Sequence, residues 1–357
     1  MVSTIETILS AILLLGILVF LHELGHFIVA KLVGIRVETF SIGFPPRLFG
    51  KKIGETDYCV SATPLGGYVK LAGMIDESLD KETIKGEPWE YQSKPVPHRM
   101  ATIFAGPLMN VLFTVFLLGA LIYISGNPVV DGTKIGYLTK DFPAEQAGIQ
   151  VGDRIVSLNG TTISSWEEMT DVIYAIPDKD LLVEWEHKEE ILSATLHTRK
   201  QELPVDGEIR EVGMIGIGAE HFMEKVGLFT AAQYGFERTV YLTKLIFSSL
   251  KRLISGRESL RSIGGPVMIA KIAGDSARSG WEAFLSFMAF LSLNLAIVNL
   301  LPIPALDGGH LFFLVIEGVT RKPLPFKARL VLQKVGMLVL FTLIIFIVFN
   351  DVRNVFF

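Results

Sequence analysis

The sequence predicts an α-helical polytopic membrane protein of about four transmembrane helices, with one inserted α/β domain and short membrane-associated β-hairpins. Three observations carry that expectation. Half of the 357 residues are hydrophobic and only 20% are charged, and the mean hydropathy is positive at +0.45. Four apolar runs approach or exceed the roughly 20 residues that a helix needs to cross about 30 Å of hydrocarbon. Between the second and third runs lies a polar stretch with strand and turn punctuation, long enough to fold as a domain of its own.

The first run covers roughly Thr4–Val33. It has no Lys or Arg before Lys31 and so lacks the basic start of a cleavable signal; it reads as retained. Inside it stands His22-Glu23-Leu24-Gly25-His26. Positions i and i+4 share one helix face, so His22 and His26 can offer two imidazole nitrogens to one metal ion. Glu23 then stands where a general base could poise a water. An ionisable residue near the centre of a membrane helix costs about 2.5–3.5 kcal/mol on insertion scales, so three within five positions point to function.

Downstream, Val37–Phe44 and Gly66–Leu71 alternate in strand fashion between glycines and prolines. Such segments fit hairpins that dip into the bilayer against helices or a water-filled cavity, or else a folded cytoplasmic loop. The second run, Met100–Ser125, closes a first region over residues 1–127. Residues 128–205 read as an α/β module. In it Pro143 starts a short helix that Gly148 caps, and Asn159-Gly160 is a two-residue hairpin signal. Ser165 and Glu168 form a capping box for a helix stopped by Pro177, and strands Leu181–Glu186 and Ile191–Thr198 follow. Residues 206–282 read as a linker whose Phe229–Ser255 stretch is an amphipathic helix for the outer membrane surface. Residues 283–357 hold the third run, about Ala283–Leu301, and the fourth, Leu330–Phe349.

Basic residues set the orientation. Lys31, Arg36, Arg47, Lys51, Lys52, Lys94 and Arg99 lie between the first two runs, and Arg321, Lys322, Lys327 and Arg329 between the last two. The positive-inside rule then puts both termini and the inserted domain outside the cytoplasm. A net charge of −4 carries no nucleic-acid signature. The single cysteine, Cys59, excludes an internal disulfide.

A catalytic zinc usually takes three protein ligands and leaves a place for water, so two histidines are incomplete. Asp307, in Asn299-Leu300-Leu301-Pro302-Ile303-Pro304-Ala305-Leu306-Asp307-Gly308-Gly309-His310, is the candidate for the third. The first and third runs cross in the same direction and carry their motifs toward the same end. Pro302 and Pro304 break the helix there, and such a break is tolerated only against protein or water. The alternative is an aspartate that is merely interfacial. His310 is left out because a filled shell would exclude water. His98, His187, His197 and His221 sit in polar contexts and are expected to ligate nothing.

Two resemblances follow from these motifs. Ala147-Gly148-Ile149, Gly152-Asp153-Arg154-Ile155 and Asn159-Gly160 resemble a circularly permuted bacterial PDZ domain, a fold that commonly takes an extended peptide at a sheet edge; a spacer or plug is the other reading. The chain as a whole resembles the site-2 proteases of the bacterial RseP type. The shared features are H-E-x-x-H, Pro64-Leu65-Gly66-Gly67-Tyr68, Phe104-Ala105-Gly106-Pro107-Leu108-Met109-Asn110, the PDZ insertion, Gly264-Gly265-Pro266 and the Leu306-Asp307-Gly308 element. Many such proteins carry two PDZ domains, whereas the length here fits one.

The resemblance implies zinc held by His22, His26 and Asp307, with Glu23 as catalytic acid/base and Asn294 and Asn299 holding substrate. It implies a multi-pass protein of the bacterial inner membrane that performs regulated intramembrane proteolysis. Its partners would be the lipid bilayer and single-pass substrates, such as an anti-sigma factor already shortened outside, together with signal-peptide remnants. The alternative from another class is a catalytically silent PDZ scaffold. A heat-shock or prenyl-protein peptidase would lack the Leu306-Asp307-Gly308 element, and no G-x-x-x-x-G-K-[ST] loop for an ATP-dependent protease occurs.

Overall fold

Helix α1 (Val2–Leu32) carries the histidine motif in its second half and gives way to Gly34 at φ +71°. This computed structural model describes residues 2–74, 85–259, 264–322 and 325–356. After α1 come two long antiparallel strands, β1 (Val37–Ile53) and β2 (Thr56–Leu71). Their pairing is double: Phe40 faces both Tyr58 and Val69, and Ser41 faces both Cys59 and Tyr68. The start of β1 therefore lies between two arms of a folded β2. What the alternation predicted as a hairpin becomes a small sheet whose last arm is residues 67–71. Phe40 anchors it on α1, with ring centroids 5.7 Å from Phe20 and 5.0 Å from Phe27.

Helix α2 (Val96–Ser125) crosses α1 at Gly25, where any Cβ would overlap the Ala105 carbonyl. Small residues of this kind let two membrane helices bring their backbones into contact.

The contacts divide the chain into two compact units, residues 119–255 and the remainder. The first of these opens with β3 (Asn127–Leu138), α3 (Pro143–Gln146), β4 (Arg154–Leu158) and β5 (Thr161–Thr162). Asn159 and Gly160 take φ of 49° and 78° between β4 and β5, as a type I′ turn requires. Helix α4 (Trp166–Tyr174) starts on the Ser165/Glu168 capping box. Then come β6 (Asp180–His187), β7 (Glu190–His197), β8 (Arg199–Val205), β9 (Glu208–Met214), β10 (Ile217–Glu224) and α5 (Leu228–Ile254).

The sheet runs β10-β3-β4-β6-β7, over a core of Ile135, Ile155, Leu158, Met169, Leu181, Val183, Trp185 and Ile215. The sheet thus takes in a strand beyond residue 205, the end expected for the module. The partner of β10 lies some eighty residues earlier, and local patterning carries no trace of that pairing. Helix α5 is amphipathic over the length expected of it.

The other unit resumes with α6 (Pro266–Ser279), α7 (Trp281–Asn299), α8 (Asp307–Thr320) and α9 (Phe326–Phe356). Helices α1, α2, α7 and α9 are long and apolar enough to cross a membrane. Exposed Ile5, Leu9 and Leu13 on α1 and Leu338, Phe341 and Ile345 on α9 are what lipid-facing surfaces require. Helix α6 starts at the Gly-Gly-Pro break, and its first amides are satisfied from afar. Asp351 accepts from the backbone N–H groups of Gly265, Val267 and Met268, each at 3.0 Å.

A buried ion cluster ties α2, α8 and α9 together. Arg99 grips Glu317 bidentately at 2.6 and 3.2 Å, and Arg329 adds a bond at 2.9 Å. Burial pushes the Glu317 carboxyl up, but the hydrogen bonds and charges of the two arginines outweigh it and hold it below the usual range.

Candidate active site

The second half of α1 points His22 and His26 toward α2 and the start of α8. Both rings are buried, at 6% and 7% exposure. Their Nε2 atoms stand 3.2 Å apart. Asp307 brings its Oδ2 to 3.0 Å from His22 Nε2 and 3.5 Å from His26 Nε2. Zinc bound tetrahedrally at about 2.0–2.2 Å requires donor atoms roughly 3.3 Å apart. The three measured spacings straddle that value, and two imidazoles with one carboxylate form a donor set that zinc accepts. Among the described residues this is the one cluster of metal-ligand side chains.

Local sequence explains how Asp307 arrives there. Helix α7 ends at Asn299, and the chain folds back through residues 300–306 before α8 begins with Asp307. A Cβ at Gly308 would overlap the Leu301 carbonyl and one at Gly309 the Ile303 carbonyl. Only glycines allow so tight a return. The carboxylate sits in the first turn of α8, where the helix dipole favours negative charge.

The surroundings fix the rings. The His26 Nδ1–H donates to the Thr102 carbonyl at 2.8 Å, which turns Nε2 toward Asp307. The Asn110 amide approaches His22 Nδ1 at 3.4 Å. Gly106 of α2 lies against both imidazoles, since a Cβ there would come within 2.5 Å of His26 Cε1 and 3.0 Å of His22 Cε1. Glu23 takes a hydrogen bond from the Val69 backbone, on the last arm of the β1/β2 sheet. A Cβ at Gly67 would stand 3.8 Å from Glu23 Cγ.

The motif residues therefore converge as a group. Asn299 joins them, its Nδ2 lying 3.5 Å from His22 Nε2. Asn294 does not: it is half-buried on α7, with no hydrogen bond to the cluster. His310 is also outside the cluster, lining a small cavity with Tyr91, Gln92 and Arg329. Gly106 and Asn110 received no individual role from sequence reasoning. The only signal for them was the Gly-Pro pair in an apolar helix, followed three positions later by a polar amide.

Donors spaced for zinc, two on a helix long and apolar enough to cross a membrane and the third in the first turn of α8, place hydrolytic chemistry where other proteins' membrane segments run. That defines the class: an intramembrane zinc metalloprotease. The model described as Peptidase family M50 matches residues 10–343 of this chain. The zinc metalloprotease RasP of Geobacillus kaustophilus is 32% identical, with 100% of each chain covered. The Bacillus subtilis protein named regulator of sigma-W protease RasP is 31% identical, with 99% of each covered. Among solved structures, a PDZ domain of an SdrC-like protein from Listeria monocytogenes is similar at 20% identity. That match covers 26% of this chain and 90% of that one, with a TM-score of 0.21. The chain belongs to peptidase family M50, the site-2 proteases, and its cofactor is zinc.

Proposed function

We propose that His22, His26 and Asp307 hold the zinc, that Glu23 is the catalytic acid/base, and that the bond cut lies within or beside a substrate's membrane-spanning segment. The supporting observation is the convergence of three donors from α1 and α8 at spacings of 3.0, 3.2 and 3.5 Å. Bound zinc supplies polarisation of the scissile carbonyl and acidification of water. Glu23 accepts the water's proton and returns it to the departing amine.

A helical substrate hides its carbonyls in its own hydrogen bonds, so it must unwind before it can be cut. Residues 67–71 end a sheet beside Glu23 and offer an edge on which an unwound segment can lie. Asn299 faces the same space, and Asn294, earlier on α7, is the second substrate-holding group. Asp307→Ala is expected to strip zinc from the purified protein and end cleavage of a model transmembrane substrate. A D307A protein with one tightly held zinc per chain would remove Asp307 from the ligand set.

The substrates are single-pass membrane proteins and signal-peptide remnants. An anti-sigma factor is the natural case, since the Bacillus relative is named for control of sigma-W. The PDZ module has an open sheet edge at β10, next to a cavity of about 340 Å³ lined in part by Met169, Ile173, Ile215 and Ile217. It suits an extended peptide.

The protein resides in the bacterial inner membrane, with this module and both termini outside the cytoplasm, because the basic residues cluster in the opposite loops. In intact cells of a Cys59→Ser protein, a membrane-impermeant maleimide is expected to label Glu190→Cys and spare Lys52→Cys. The reverse pattern overturns the orientation.

A further inference from the structure

The two histidines solve the same problem with different partners. A ring nitrogen binds a metal through its lone pair, so a metal at Nε2 requires the proton to reside on Nδ1. That N–H then needs an acceptor. His26 has one in the Thr102 carbonyl, a group that can only accept. His22 has no such carbonyl, and its Nδ1 instead faces the side-chain amide of Asn110 at 3.4 Å.

Asn110 is fully buried at 0% exposure. Its main chain is pinned, because its carbonyl accepts from the hydroxyls of Thr114 and Ser292 at 2.9 Å each. In the orientation with Nδ2 toward the ring, Oδ1 is buried without a hydrogen-bond partner. That orientation also sets a donor against the nitrogen that must itself donate when Nε2 binds a metal. Amide oxygen and nitrogen have nearly the same shape, so the hydrogen-bond network decides between them. Turning the amide over gives Oδ1 a donor and gives Nδ1–H its acceptor; the NH2 group then occupies the place that Oδ1 held.

We propose that Asn110 is a positioning residue for the metal centre: its Oδ1 accepts the His22 Nδ1–H and locks the tautomer that presents Nε2 to zinc. This rests on the reading of His22 as a ligand. The role asks for an acceptor and nothing more, so aspartate should serve as well as asparagine. The carboxylate–histidine–zinc arrangement is even a common way to strengthen such a site.

The test is zinc affinity of the purified full chain, by chelator competition, for wild type and for His22→Ala, Asn110→Leu and Asn110→Asp. Comparison is made on protein whose metal-free form elutes and melts like wild type, with Asn110→Ala replacing N110L if N110L does not. N110L is expected to weaken zinc by about 10–100-fold, the usual cost of losing such a partner, while N110D binds at least as tightly as wild type. N110D weakened as much as N110L means that the amide donates, and overturns the proposal. So does N110L at wild-type affinity while H22A loses zinc. H22A with undiminished affinity would instead overturn the ligand assignment itself.

Discussion

Glu23→Gln is expected to keep its zinc and lose its activity. The three donors that converge are His22, His26 and Asp307, so the proposed ligand set does not call on the Glu23 side chain. Glutamine has the same shape and can still accept from the Val69 N–H that meets this side chain. What it cannot do is take a proton from water. Removing a positioned general base commonly costs about 10²–10⁴-fold. The other carboxylate of the cluster, Asp307, is the proposed third metal ligand and so is not free to take over as base, which argues for the upper end. The check pairs zinc stoichiometry by elemental analysis with the cleavage rate of a single-pass substrate in detergent or liposomes. Turnover within a few fold of wild type would remove Glu23 from the chemistry. Loss of zinc along with activity would instead make it a structural part of the metal site.

The legibility of these features in the sequence follows their range. Signals that act within a few residues formed as read: the i, i+4 histidines, the Ser165/Glu168 capping box and the Asn159-Gly160 turn. The approach of Asp307 to the two histidines was legible because Pro302, Pro304 and the paired glycines announce a break beside a lone carboxylate. Features that depend on what two distant segments do to each other were not. The folding of β2 around β1 leaves no period in the sequence, nor does the pairing of β10 with β3, nor the capping of α6 by Asp351. The same limit hid the α2 residues that lie against the two imidazoles. Thr102, Gly106 and Asn110 lie on one stretch of α2, and their purpose appears only when that helix is laid against α1.

Gly106 makes the sharpest case, because helix propensity and site geometry predict opposite signs. Alanine is favoured over glycine in a helix interior by roughly 1 kcal/mol, so Gly106→Ala should firm up α2 if the helix alone mattered. A Cβ at this position, however, overlaps His26 Nε2 and comes within 2.5 Å of its Cε1. The ring has little freedom to retreat, being held by the Thr102 carbonyl at 2.8 Å on one side and facing His22 at 3.2 Å on the other. Relieving the overlap requires a shift on the order of 1 Å, several times the ±0.2 Å within which metal–ligand distances normally fall. G106A is therefore expected to fold, the helix gain of roughly 1 kcal/mol offsetting part of an overpacking cost of about 1–3 kcal/mol, and yet to hold well under one zinc per chain and cleave no substrate. Gly16→Ala on α1 is the control, since a Cβ there meets nothing within 4 Å; it should retain both zinc and activity. A G106A protein with full zinc and normal turnover would mean that α1 and α2 do not pack at the distance described, and the two-helix origin of the metal site would fall with it.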